Sequence, residues 1–93
     1  MAVVFHIPGY LRAFTGGAAR VEFAASPATV GEALGLLWCA HPGVRDRVLT
    51  EQGEVRPHVN VFVGDESIRF SGGLATLLPG ACEISIVPAV SGG

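Results

Sequence analysis

In three stretches of the chain, every second residue is an apolar residue expected to point inward, and each stretch predicts a β-strand. In the first stretch Val3, Phe5 and Ile7 are expected to point inward, and Pro8-Gly9 ends the run. The second and third stretches alternate in the same way. A later apolar run predicts one more strand. The second and third alternating stretches are 20–25 and 58–63, and the later apolar run is 82–87.

One segment between these strands has helical spacing instead. Thr29 and Glu32 are separated as in a capping box, with the hydroxyl at the N-cap and the carboxylate three residues later. Apolar residues then recur every three or four positions as far as His41, and Pro42-Gly43 ends the pattern. The sequence predicts one main helix, followed by a turn and a polar loop. Residues 68–70 predict a short edge strand.

The order of elements favours one fold class. A hairpin, a helix, a strand, a short strand and a final strand are typical of the α+β class with a ubiquitin-like β-grasp. We expect a mixed sheet of four to five strands with one main helix packed across it. Because connections between parallel strands are right-handed, we expect the first and last strands to pair in parallel at the centre.

Length and composition exclude several classes of function. Ninety-three residues make one domain with a modest core, too small for a catalytic cleft between subdomains, so a separate enzyme must supply any chemistry. The chain is 49% hydrophobic and 15% charged, which predicts a folded domain. Its net charge of −2, with six scattered arginines and no lysine, argues against nucleic acid as a partner.

Neither the cysteines nor the histidines predict a metal or catalytic site. Cys39 and Cys82 lack metal-ligand spacing, and we interpret both as reduced thiols in the core of a cytoplasmic protein. His6, His41 and His58 have no catalytic companion at motif spacing and are interpreted as structural or surface residues. No apolar run approaches the length of a membrane span.

The most informative feature is the end of the chain, Ser91-Gly92-Gly93. A C-terminal glycine carboxylate is the least hindered acyl group that a ribosomal chain can present, so Gly93 is a candidate reactive group with Gly92 behind it. The alternative is an ordinary disordered terminus. Pro88 cannot donate to a sheet ladder and is expected to end the last strand. We therefore predict a β-grasp domain over 1–87 and a flexible reactive tail over 88–93, about 20 Å long.

A docking surface is predicted beside the tail. If Val59, Val61 and Val63 face the helix, then Phe62 points to the other face of the sheet, together with Val4 and Val87. An exposed aromatic residue flanked by aliphatic residues indicates a partner patch, although a single surface phenylalanine is common. Four further residues are candidates for partner contacts: Pro88 and Val90 in the tail, and Arg12 and Arg69 as partners for carboxylates.

Three segments carry a resemblance to a known family. Residues 11–16 (LRAFTG), residues 59–63 (VNVFV) and residues 86–93 (IVPAVSGG) resemble the ThiS/MoaD family of ubiquitin-like sulfur carriers. The segment 65–76, DESIRFSGGLAT, is most similar to the CysO-type carriers within it. The resemblance covers nearly the whole chain, and the arginine-to-leucine stretch of this last segment is its most specific part.

The resemblance implies a chemical cycle performed on the chain by other enzymes. An E1-like adenylyltransferase and sulfurtransferase of the MoeB, MoeZ or ThiF type would activate Gly93 with ATP, and sulfur would then replace AMP to leave a thiocarboxylate. A PLP-dependent cysteine synthase would accept the sulfur, and a JAMM-type metalloprotease would free the carrier. The resemblance implies that the chain binds neither ATP nor PLP, holds no metal and is not itself an enzyme.

Two other functions use the same body or the same end. A ubiquitin-like modifier joined to lysines of other proteins begins with the same acyl-adenylate, and the sequence does not separate it from a sulfur carrier. A ferredoxin-like electron carrier would need four cysteine ligands, and the chain has two cysteines.

Overall fold

A computed structural model describes residues 2–88, which form a five-stranded mixed sheet with helices against one face. The strand order is β2-β1-β5-β3-β4. Three 3₁₀ turns connect these elements, at Gly9–Phe14, Ile68–Phe70 and Gly73–Ala75. The strands and helices are β1 (Val3–His6), β2 (Arg20–Phe23), α1 (Val30–Ala40), α2 (Pro42–Val48), β3 (Val59–Val63), β4 (Glu66–Ser67) and β5 (Cys82–Pro88).

The predicted strand pairing is confirmed. β1 and β5 run parallel, with Phe5 opposite Ile84, and β1 and β2 form the opening antiparallel hairpin. β5 also pairs antiparallel with β3, where Val61 lies opposite Ile86. The last strand is therefore bonded on both sides, and the chain leaves the fold from the centre of the sheet.

Alternate residues of the three central strands build the core. Their inward side chains are at most 2% exposed and pack against α1 and α2. Burying an aliphatic side chain of this size contributes about 1.5–3 kcal/mol, so this face of the sheet provides much of the stability of the fold. The residues are Val3, Phe5, Val59, Val61, Ile84 and Ile86.

The capping box at the start of α1 is present. The backbone N–H of Glu32 donates to the Thr29 hydroxyl at 3.2 Å, which satisfies one of the unpaired donors of the first turn. The prediction that the first helix stops at Pro42-Gly43 is confirmed, whereas the turn predicted after it is wrong. α1 ends at Ala40, but a second helix begins at Pro42, since proline fits the first helical position, where an N–H would have no partner.

The short edge strand predicted at residues 68–70 is also corrected. β4 occupies Glu66–Ser67 instead, and residues 68–70 form a 3₁₀ turn. Ile68 is 2% exposed and enters the core, so its apolar character reflects burial from a turn. This turn carries Arg69 and Phe70 to the rim of the sheet.

The two cysteines differ from their prediction as core residues. Cys39 is exposed on α1, so its prediction is wrong, and Cys82 is partly buried at the start of β5. Burial raises the pKa of the Cys82 thiol above its ordinary value. Among residues 2–88, no helix combines the length and hydrophobicity that crossing a membrane requires.

Candidate carrier surface and tail root

The tail root, defined here as Pro88 and the residue paired with it, lies at one end of the sheet. Pro88 is the last residue described and pairs with Val59 at the start of β3. The segment predicted as a tail therefore begins with a residue that belongs to β5. The predictions for Val90, Gly92 and Gly93 lie outside the described residues.

The face of the sheet opposite the helices carries the predicted docking residues. Phe62 lies opposite Ser85, and Val87 lies opposite Asn60. Phe62 and Val87 are therefore diagonal neighbours on adjacent strands, and an aromatic side chain can span the distance between them. Phe62 is partly buried, whereas Val87 is 38% exposed. The pairing pattern thus places Phe62 and Val87 together on this outer face, next to the tail root.

Val4 is on the same face but is not an exposed residue. It lies between Glu22 of β2 and Glu83 of β5 and is only 9% exposed. His6 Nε2 and Glu83 Oε1 approach to 2.5 Å beside it. Val4 is therefore largely buried on this face, between acidic residues of the two neighbouring strands, and its predicted role in partner binding stays a prediction.

Arg69 is engaged within the fold. Its Nη2 donates to three main-chain carbonyls, those of Arg56 at 3.4 Å, Pro57 at 2.9 Å and Val59 at 2.9 Å. The guanidinium thus joins the 3₁₀ turn after β4 to the segment that leads into β3. It holds the strand start against which Pro88 is paired, so the structure gives Arg69 a role in fixing the tail root.

Arg12 shows the same kind of contact on the other side of the tail root. Its Nε donates to the carbonyl of Ile7 at 3.1 Å and closes the turn after β1. Arg56 does likewise, with Nε donating to the carbonyl of Asp46 at 3.0 Å. Arg12 keeps its terminal guanidinium nitrogens outside this bond, and its predicted role in partner binding stays a prediction.

Two exposed apolar residues were missed by sequence reasoning. Phe70 is 87% exposed and Leu77 is 76% exposed. Phe70 was interpreted as part of a short strand, whereas the 3₁₀ turn directs it outward. A hollow of about 510 Å³ lies beside this turn, lined by apolar side chains and rimmed by Glu54 and Arg69.

Within the described part, these residues provide a surface beside the tail root. Residues 2–88 contain no group of three or more histidine, cysteine or acidic side chains that could hold a metal ion. The His6 and Glu83 pair is exposed, and Ser85 lies opposite His6 on the neighbouring strand. The arrangement is suited to presenting the chain end from a stable body.

Known proteins with this arrangement are found by sequence and by structure. The ThiS family profile matches residues 5–93. The sulfur carrier protein CysO of Mycobacterium tuberculosis is 39% identical over the whole of both chains. Small archaeal modifier protein 3 of Haloferax volcanii is 39% identical over 66 residues, or 71% of each chain.

The solved structures agree with the sequence comparison. A crystal structure of an Amycolatopsis orientalis BexX/CysO complex contains a chain that is 38% identical, with a TM-score of 0.85 and coverage of 98% of this chain and 99% of that one. A crystal structure of SAMP1 from Haloferax volcanii gives a TM-score of 0.79 at 30% identity, and all of both chains is covered.

The fold and the comparisons define a ubiquitin-like β-grasp carrier protein, which is not itself an enzyme. The chain belongs to the ThiS family, and its relatives include both sulfur carriers and small archaeal modifiers.

Proposed function

We propose that this protein is a sulfur carrier of the CysO type, in which the carboxylate of Gly93 is adenylated by an E1-like enzyme and converted to a thiocarboxylate. The sulfur then goes to a PLP-dependent synthase that makes cysteine. The observation that carries the proposal is the full-length identity of 39% to a CysO protein, together with a family match that extends through Gly93.

The geometry of the tail root supports a role as a presenting body. β5 is bonded on both sides, to β1 and to β3, so the strand that leads into the tail is held by two ladders. Arg69 additionally fixes the start of β3. A rigid root lets the partner enzyme position the reacting carboxylate without also ordering the strand behind it, which lowers the entropic cost of docking.

The atoms of the proposed cycle balance. The Gly93 carboxylate attacks the α-phosphate of ATP and releases pyrophosphate, and a sulfur nucleophile then displaces AMP from the acyl carbon. The acceptor enzyme would form an aminoacrylate from an activated serine with loss of its leaving group, and the thiocarboxylate sulfur would add to it. Hydrolysis of the resulting Gly93–cysteine adduct by a metalloprotease would release cysteine and restore the Gly93 carboxylate. ATP and PLP are bound by these partner enzymes, and the proposal places the cycle in the cytoplasm.

The test uses the full chain with an E1-like enzyme, ATP and a sulfide source. We expect an intact-mass gain that matches exchange of one oxygen for sulfur, located on the C-terminal peptide. Addition of a cysteine synthase and an activated serine should then add a cysteine at that end. Sulfur found on Cys39 or Cys82 as a persulfide would contradict the thiocarboxylate, and a thiocarboxylate that does not react with the serine acceptor would contradict the cysteine assignment alone.

A ubiquitin-like modifier is the second candidate, favoured by the similarity to small archaeal modifier protein 3. In that case Gly93 forms isopeptide bonds with lysines of other proteins. A cellular blot separates the two functions. A ladder of high-mass conjugates indicates the modifier, whereas unconjugated protein with a thiocarboxylate end indicates the carrier.

A further inference from the structure

Charge is distributed unevenly along the length of the sheet. Arg56 and Arg69 lie at the tail-root end and donate to carbonyls there. At the opposite end of the sheet, β5 begins and β3 ends, and Gly64 bonds to the carbonyl of Glu83. Carboxylates are gathered at that opposite end, on Glu22, Asp65, Glu66 and Glu83. The tail-root end, where Asp46 and Glu54 accompany Arg47, Arg56 and Arg69, is thus more basic than the opposite end.

An arginine–aromatic hollow of about 470 Å³ opens at this basic end. It is adjacent to the tail root because His58 directly precedes Val59, which is paired with Pro88. Its lining consists of Tyr10, Phe14, Asp46, Arg47, Arg56 and His58.

The hollow is assembled from three segments with specific packing. Phe14 lies so close to α2 that a Cβ built on Gly43 would be 3.0 Å from its ring, so glycine permits this approach. The guanidinium carbon of Arg47 lies 4.8 Å from the centre of the same ring. These contacts hold Arg47 in place before any partner arrives, which reduces the entropy lost on binding.

The positive charge of the hollow is only partly balanced by Asp46. The carboxylate of Asp46 lies 3.6 Å from Nη1 of Arg45, outside the hollow, and its carbonyl accepts from Arg56. Within residues 2–88, neither Arg47 nor Arg56 forms a salt bridge. Guanidinium groups bind carboxylates with two parallel hydrogen bonds. Desolvation raises the pKa of Tyr10 on the wall of the hollow, so its hydroxyl stays protonated and can donate to an anion.

We propose that the arginine–aromatic hollow receives acidic side chains of the enzyme that takes up the C-terminal tail. The identity of this partner rests on the proposed function. Any enzyme that holds the tail must face the tail-root end of the sheet, and there the hollow offers a concave surface lined by two arginines. Opposite charge at this place steers the encounter and fixes the orientation of docking.

Two matched substitutions test the proposal. Arg47→Glu and Arg20→Glu change the net charge equally, but Arg20 lies on the edge strand β2, three strands from Phe62, and is paired with Glu22 at 3.1 Å. With the E1-like enzyme at low salt, we expect Arg47→Glu to weaken binding about fivefold or more and to remove most of its salt dependence. Arg20→Glu should change affinity less than twofold, and both variants should melt near the wild type. Equal effects of the two substitutions would overturn the proposal.

A second measurement decides the point even if no E1-like enzyme binds the chain, which would contradict the proposed function. The labelled full chain is titrated with a short peptide of alternating glutamate and glycine, and with the same peptide carrying glutamine. Amide shifts should occur in residues 10–14, 44–48 and 56–58 with the acidic peptide alone, and disappear in Arg47→Glu. Shifts elsewhere, shifts that persist with glutamine, or tighter binding of oligouridylate at these residues would overturn the assignment to an acidic protein.

Discussion

The two faces of β5 differ although the strand is continuous. Ile84 and Ile86 point toward the helices and are at most 2% exposed. Ser85 and Val87 point to the outer face, where Val87 is 38% exposed and a histidine–glutamate pair lies nearby. The inner face therefore supplies the stability of the fold, and the outer face is available for recognition at little cost to stability.

This difference teaches that docking and folding can be altered separately in this protein. A small domain has little stability to spare, so a surface that must vary with its partners is best placed where its residues contribute little to the core. The tail residues follow β5 in the sequence. Substitutions in the three regions should consequently affect activation, folding and affinity in different proportions.

Deletion of Gly93 should have the largest effect, because it removes the carboxylate proposed to react. We expect ATP-dependent activation by the E1-like enzyme to be abolished while the thermal unfolding midpoint stays unchanged. Release of AMP or pyrophosphate measures the activation. One added residue after Gly93 is the matched control for chain length and should also abolish activation. Unchanged turnover without Gly93 would show that its carboxylate is not the reacting group.

On the inner face, Ile84→Ala should lower the free energy of unfolding by about 2–5 kcal/mol, because it leaves a cavity between the strands and α1. Urea denaturation measures the loss. At a temperature where the variant is still folded, its activation should remain close to that of the wild type. Ser85→Ala, the next residue on the opposite face, is the control and should change stability by no more than about 0.5 kcal/mol.

On the outer face, Phe62→Ala should weaken binding to the activating enzyme about tenfold, since an aromatic side chain beside the tail root gains contacts on docking. Its effect on stability should be smaller than that of Ile84→Ala, because Phe62 is only partly buried. Calorimetry measures the loss of affinity and thermal melting measures the loss of stability, so the two effects of the substitution are obtained separately. If Phe62→Ala lowered stability as much as Ile84→Ala does, and lowered affinity only to a comparable extent, the outer face would have no special role in docking.

The topology could be predicted from the sequence because alternation and capping are local properties that tertiary contacts reinforce. Val59, Val61 and Val63 follow the period of a strand, and Thr29 with Glu32 marks a helix start by its own chemistry. Residues 68–70 could not be assigned in this way. A run of three residues is too short to show a period, and Ile68 is buried from a turn instead of a strand.

The candidate site was less predictable, because its character depends on which side chains meet across strands. Val4 looks exposed in the sequence, but Glu22 and Glu83 are brought to either side of it by two different pairings. In the sequence, Arg69 suggests a positive charge that would bind a partner's carboxylate. Only the fold brings residues 56–59 close enough for their carbonyls to accept hydrogen bonds from it. The arginine–aromatic hollow likewise joins three separate segments of the chain.

At the tail root, Arg69→Gln should lower the free energy of unfolding by about 1 kcal/mol, since it removes an exposed group that bonds to three carbonyls. Arg12→Gln, which removes a bond to one carbonyl, should cost less. Urea denaturation of the two variants gives the comparison. If Arg69→Gln instead left stability unchanged and reduced affinity for the partner, its sequence-based interpretation as a partner residue would be supported over the structural one.

The smallest expected effect concerns the start of β5, where Cys82 lies on the same side of the strand as Ile84. Cys39 is exposed, whereas Cys82 is partly buried with a raised thiol pKa. The thiolate is the reactive form, so at neutral pH Cys82 should react with a disulfide reagent several-fold more slowly than Cys39. Because the pKa is raised, its rate should keep increasing to a higher pH than that of an unperturbed thiol. The variants Cys39→Ser and Cys82→Ser report each rate alone, and equal rates at every pH would show that the inner face opens readily at this edge.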